Sequence, residues 1–230
     1  MDMNDSGLYL LLTWGSPSYP TGAFSYSHGL EWAVEARTVK DLDSLQDYLE
    51  AVLCRGGGWI DAVLFVHVWR AASLHGASVE LDELVELASA LRGSSETALE
   101  SRQQGSAFLQ VTRRAWPHRL LDELATRLND NPVAHCVAVA VACAAHGVEL
   151  TSGLHAYLHA LAANLISAGA RLIPLGQTDA QIGMARLAAL IAKVRDRALQ
   201  TDLQDLGTAA PMLELSSLWH ETQYTRLFRS

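Results

Sequence analysis

Apolar residues in this chain recur every three or four positions almost from end to end, which is the period of a helix buried on one side. Leu42, Leu45, Leu49, Val52 and Leu53 form one stripe behind Asp41, a good N-cap residue. Ile60, Val63, Leu64, His67 and Ala71 form the next, after Gly56–Gly58. Leu81, Leu84, Val85, Ala88 and Leu91 form a third, with Ser78 in front and Gly93 behind. A helix over Ser106–Trp116 has to stop before Pro117. Pro132 suits the first turn of another, and Gly147 its end. Leu154, Tyr157, Leu158, Leu161 and Leu165 follow Thr151, and a capping box of Thr178 with Gln181 opens a last long helix. Stretches that alternate apolar and polar with β-branched residues are scarce. The pattern predicts an all-α, single-domain bundle of roughly eight to ten helices over residues 1–230. A loop over Thr201–Pro211 leads to a short final segment.

Composition narrows the function. Of 230 residues half are hydrophobic and 18% are charged, a globular balance. The net charge of −8 argues against a general grip on nucleic acid or on an anionic membrane. Cysteines 54, 136 and 143 are few and odd in number, as in a reducing compartment. The opening "MDMNDSGLYLLLTW" carries acids where a secretory signal carries positive charge. The apolar run Val133–Ala145 falls short of the ~20 residues that cross a bilayer. The expectation is a cytoplasmic, soluble protein.

Signatures of chemistry are weak. Neither a phosphate-binding G-x-x-x-x-G-K-[ST] nor a G-x-G-x-x-G loop occurs, so any nucleotide would belong to a partner. No G-x-S-x-G elbow points to nucleophilic catalysis, and nothing else marks an enzyme. His155 and His159 share a helix face at ligand spacing, but Ala156 stands where a zincin has glutamate. Cys136, Cys143 and His146, with His135, lie on one alanine-rich helix, where close packing is the simpler reading. A helical metal-binding protein on either set is the rival hypothesis. His220–Glu221 is not a zincin signature, because Tyr224 follows it.

What packing does not explain is a set of polar and aromatic clusters. In "SPSYPTGAFSYSHGLE", Ser16–Glu31, a loop runs into a helix on which Tyr26, His28 and Glu31 could face outward. In "ESRQQGSAF", Glu100–Phe108, Arg102, Gln103 and Gln104 precede a mid-helix Gly105. That glycine costs ~1 kcal/mol against alanine, so another backbone should approach it closely. "RLIPLGQTDAQ" leaves Arg171, Gln177 and Asp179 as surplus polar residues around its turn. "HETQYTRLFRS", His220–Ser230, gathers side chains typical of interface anchors, and Phe228 is costly to leave in water.

In this order the clusters resemble the urease accessory protein UreF family, over nearly the whole chain. The resemblance places Tyr26, Ser27, His28, Gly29 and Glu31 in the family's N-terminal block. Gln177, Asp179 and Gln181 fall in its "PLGQTD" block, and His220, Glu221, Tyr224, Arg226, Leu227, Phe228 and Arg229 in its C-terminal one. Tyr19 and Thr21 depart from the leucine and valine usual there, which affects only that loop. The resemblance implies an all-helical, dimeric, cytoplasmic, non-catalytic maturation factor. It would bind UreD (also called UreH) and the GTPase UreG, and the assembly would insert nickel into apo-urease. Nickel and GTP would act through the partners, with no cofactor on this chain. Residues 212–230 would dock on a partner, with Tyr224 and Phe228 as anchors and Arg226 and Arg229 meeting carboxylates. A nickel carrier using His155/His159 or Cys136, Cys143 and His146 stands as the alternative.

Overall fold

A computed structural model describes residues 5–230. Among them are eleven α-helices: α1 (Asp5–Trp14), α2 (Leu30–Glu35), α3 (Leu42–Arg55), α4 (Gly57–His75), α5 (Val79–Ala90), α6 (Ser95–Ala115), α7 (Arg119–Leu128), α8 (His135–Ala145), α9 (Leu150–Leu172), α10 (Gln177–Ala198) and α11 (Pro211–His220). Short 3₁₀ turns occupy Ala23–Ser25 and Leu203–Asp205. The described residues are all-α. The helices exceed the expected eight to ten because α2, at six residues, is too short for a periodicity to reveal.

The centre is α8. Its residues Cys136–Cys143 are all buried, enclosed by α4, α6 and α9. Small side chains let these neighbours come close. At Gly105 of α6, a Cβ would lie 2.1 Å from the Val133 carbonyl oxygen. The backbone approach inferred from that glycine is therefore present. α10 packs on α9 and α3, and α3 on α4. Leu42–Leu74, spanning α3 and α4, is long and apolar enough to cross a membrane, but 72% of its most apolar window is buried in the fold. It is a core hairpin broken at Gly56, and it outruns the Val133–Ala145 stretch that stood out in the sequence.

Caps follow the sequence at several ends. The Asp41 carboxylate accepts from the Ser44 amide, and the Ser78 hydroxyl from the Leu81 amide. Several boundaries differ. Pro132 lies ahead of the Ala134 N-cap of α8 and not in its first turn. α10 starts at Gln177, so its N-cap is Gly176, two residues before Thr178, and the Asp179 carboxylate accepts the Gly176 N–H at 3.0 Å. Asp179 outcompetes Thr178 because its charged oxygen also favours the helix N-terminus. α9 is capped by Glu149 rather than entered after Thr151. Phe24–Glu31 does not run into one helix: after the 3₁₀ turn Tyr26 is extended, His28 and Gly29 have φ of 58° and 78°, and α2 starts only at Leu30.

One buried ion pair ties four parts of the bundle. The Arg92 guanidinium, between α5 and α6, meets Asp61 of α4 at 2.6 Å. The Tyr157 hydroxyl of α9 donates to the other Asp61 oxygen at 2.7 Å, and Cys136 of α8 lies 3.9 Å from the guanidinium. Burial alone would push the Asp61 carboxyl up; the Arg92 charge and the bonds from Tyr157 and Arg92 outweigh it and hold it low. A carboxyl held lower in the folded state adds stability above its unfolded pKa, and that stability is lost as pH falls through the folded one. Asp61→Asn should cost about 3–5 kcal/mol near neutral pH, because it strands a buried guanidinium. In urea unfolding the gap between wild type and variant should shrink as the pH is lowered below about 4. A gap that stays constant contradicts this account of the pair.

Candidate functional site

The chain's last segment closes on its own N-terminal block. After α11 a turn at Trp219–Thr222 releases residues 221–230, which run back across α2 and α6. The Ser27 amide donates to the Ser230 main-chain oxygen at 2.7 Å, and the Arg229 amide donates to the Ser25 carbonyl at 2.8 Å. The Ser27 hydroxyl also donates to the Ser230 oxygen. The left-handed turn at His28 and Gly29 makes this possible by swinging the block inward. A side chain at Gly29 would need both an unfavourable φ and a place 2.9 Å from the Ser217 amide of α11.

Three carboxylates hold the tail. Glu31 accepts from the Leu227 amide at 2.6 Å and the Phe228 amide at 2.9 Å, and the Nε2 of His220 lies 3.1 Å from it. Glu96 takes the other side of His220, Nδ1 at 2.6 Å, and pairs with Arg226 at 2.6 Å. Glu100 accepts from the Ser230 hydroxyl at 2.7 Å and from Gln104 at 3.2 Å, and faces His28 Nδ1 at 3.5 Å. Burial pulls the His28 imidazole down, but the bond and charge of Glu100 more than restore it, so it stands raised. Arg171 of α9 lies over the Phe228 ring, 4.4 Å from its centroid, and donates to the Phe24 carbonyl at 2.9 Å. Gln103 joins the two ends, accepting from the Tyr26 hydroxyl and, at 3.4 Å, from Arg229.

The blocks noticed in the sequence thus meet in space, but their side chains point differently. Tyr26 and Glu31 were expected outward; they are buried, Glu31 at 6% exposure, because the left-handed turn faces them to the tail. Ser27 and His220 are fully buried, and Phe228 is an anchor within its own chain. Arg226 does meet a carboxylate, on Glu96. Arg229 meets an amide oxygen, and Glu221 accepts from Ser95. Arg102 is exposed on α6. Gln177 and Asp179 stand at the head of α10, where Asp179 caps.

Sequence reasoning missed Glu96 and Glu100. Their signal is spacing: two acids one turn apart on the α6 face that also carries Ser101, Gln104 and Phe108, all buried. Within the segment 212–230 expected to dock, it did not single out the outer face of α11. Met212, Leu215, Leu218 and Trp219 recur at helical spacing and are exposed, beside a fully exposed Tyr224 and an exposed Leu227. Trp219 is steadied by Trp32 of α2, with ring centroids 4.3 Å apart.

Among the described residues no three His, Cys, Asp or Glu side chains are grouped to hold a metal ion. His155 has the Arg195 guanidinium 3.4 Å from its Nδ1, an unfavourable neighbour for a cation. Cys136 and Cys143 are buried, and burial pushes both thiols up. His146 packs against the rings of Trp14 and His118.

The profile of the UreF family matches residues 39–188. The chain belongs to the UreF family. It is 49% identical over 225 residues to the urease accessory protein UreF of Rhodopseudomonas palustris, covering 98% of this chain and 93% of that one. The UreF of Granulibacter bethesdensis is 50% identical over 226 residues, covering 98% and 95%. That of Bradyrhizobium diazoefficiens is 48% identical over 225 residues, covering 98% and 92%. These UreF proteins align beyond the matched profile, over nearly all of the chain.

Glu31→Ala strands two tail amides and the buried His220, a loss of about 2–4 kcal/mol from the tail's attachment. Trypsin should then cut after Arg226 at least tenfold faster, while the helical circular dichroism signal stays. An unchanged cleavage rate contradicts the assignment of Glu31 as the tail's main hold.

Proposed function

We propose that the chain is a cytoplasmic, non-catalytic urease maturation factor. It binds UreD (UreH) and the GTPase UreG and supports GTP-dependent nickel insertion into apo-urease, with nickel and GTP held by its partners. Family membership supports the urease side of this reading. The observation that carries the scaffold role is the outer face of α11. Four large apolar side chains of one short helix, with Tyr224 and Leu227 beside them, lie in water. A patch of that kind marks an interface, and tryptophan and tyrosine dominate interface energetics.

This shifts the partner-binding role within the residues first singled out. Tyr26, Ser27, His28, Glu31, Arg171, His220, Arg226 and Phe228 act indirectly, by fixing the tail. Tyr224 and the α11 face make the contact, with Glu221 at the end of that helix; Gln103 and Arg229 belong to the tail's attachment, Arg102 is exposed on α6, and Gln177 and Asp179 belong to a separate turn. A second copy of the chain would use the groove of about 410 Å³ between α1 and α9, where Leu8, Leu11, Leu12 and Ala156 meet His155, His159 and Arg195. A scaffold influences a GTPase only through different affinities for its states, so the tail must present its face in one fixed geometry.

The double variant Leu215→Asp/Leu218→Asp tests this. Both side chains point away from the tail's carboxylates, so the melting temperature should stay within a few degrees of wild type. Capture of UreD in pull-down should fall by more than tenfold, and UreG should be lost from the complex with it. Undiminished capture by the folded variant overturns the α11 assignment.

A further inference from the structure

Between the loop 16–24 and helices α6, α8 and α9 lies a cavity of about 150 Å³. That is room for about five waters, or for one molecule of a few heavy atoms. Its roof is the proline-bearing loop, pinned by the Tyr19 hydroxyl on Thr112 at 2.7 Å. Exposed Phe24 and Ser167 line one end, where the cavity meets solvent.

Four polar side chains of the wall decide what the cavity can hold. Gln104 gives one N–H to Glu100 at 3.2 Å, and Asn164 gives one to the Tyr26 carbonyl at 3.4 Å. These bonds orient both amides and leave both side-chain oxygens without a partner among the described residues. The Tyr157 hydroxyl gives its proton to Asp61 at 2.7 Å, so any further bond to its oxygen has to come from a donor. His135 packs its ring on Tyr157, with centroids 5.5 Å apart, and neither ring nitrogen has a hydrogen-bond partner among the described residues. Burial holds the imidazole pKa down at about 4, so near neutral pH the ring has one N–H and one lone pair.

Acceptors therefore lead: two amide oxygens, the Tyr157 oxygen and one imidazole nitrogen. The imidazole N–H stands ready for a single carbonyl. Glu100, the carboxylate of the wall, is already turned to Ser230, Gln104 and His28. A cation enclosed here would lose its water without a counter-charge of its own. The wall suits a neutral molecule with several N–H groups and one carbonyl.

We infer that this cavity is a binding site for a small neutral amide, held by its N–H groups on the acceptors of the wall and by its carbonyl on His135. Urea and the primary amides share this chemistry. The site does not depend on which partner the α11 face meets.

Titration of the full chain with acetamide and with urea, each up to about 50 mM and far below denaturing concentrations, tests it through assigned ¹H–¹⁵N resonances. Trp14 is a reporter in place: it lines the cavity, and its buried indole N–H has no partner among the described residues. The Trp14 indole and the side-chain amides of Gln104 and Asn164 should shift together and saturate, with a Kd of about 1–10 mM, within reach of so small a ligand. Saturation by acetamide, by urea or by both supports the site, and the tighter of the two identifies the source. Acetone, which has the carbonyl and the shape but no N–H, should bind at least about fivefold more weakly. Asn164→Leu should weaken the amide by a similar factor while the helical circular dichroism signal stays. Shifts that rise linearly without saturating overturn the proposal. So does acetone or guanidinium chloride binding as tightly as the amides, or undiminished binding to folded Asn164→Leu. If Asn164→Leu does not fold, Ala160→Met decides. Its side chain fills the cavity from α9 and should abolish the saturable shift; a shift that persists overturns the site.

Discussion

Glu31 spends one carboxylate on two consecutive tail amides and one buried imidazole. The N-terminal block, α11 and the tail are arranged around that contact. A carboxylate that deep in the fold is costly unless its oxygens are saturated. Saturation requires the tail to bend at Leu227 and Phe228, so that two consecutive amides point the same way, and it requires the turn at His28 and Gly29 that carries Glu31 inward. Gly29 then lets α11 lie directly on the turn, and α11 delivers His220. The carboxylate, the turn, the helix and the tail each make sense only with the other three in place.

Buried polar networks of this type add little net stability, since desolvation offsets most of what the contacts return. They do fix geometry, because few alternative arrangements satisfy every group. Here the fixed quantity is the orientation of α11. Its inner face buries Ser216, sets Ser217 against Ser94 and gives His220 to the network, and its outer face leaves Met212, Leu215, Leu218 and Trp219 in water. The polar lock is thus what presents the apolar patch. The Asp61–Arg92 pair plays a parallel part deeper in, tying the turn ahead of α6 to α4, so that Glu96 and Glu100 come off a rigid base.

The fold was readable because helical period, caps and punctuation agree along most of the chain. The stripes at Leu42–Leu53 and Leu81–Leu91, Gly105 and the stop before Pro117 all rest on local rules that tertiary packing had no reason to override. The site was readable as three blocks, not as contacts. Nothing local tells that Glu31 faces inward, since its partners are almost two hundred positions away. The left-handed conformation of His28 is not a local preference either; it is imposed by the tail it serves. Partner residues and lock residues look alike in a sequence, both being polar or aromatic where packing does not ask for them. Exposure separates them: Phe228 is buried and Tyr224 lies in water, four positions apart.

The central claim is that the tail is part of this chain's own fold before any partner arrives. The amide proton resonances of Leu227 and Phe228 in the isolated wild-type chain test that most directly. Bonded to a carboxylate, both should be dispersed and well downfield, with Phe228 ring protons close to Arg171. Sharp resonances at random-coil positions for residues 221–230, in a chain whose helices are otherwise intact, would contradict it.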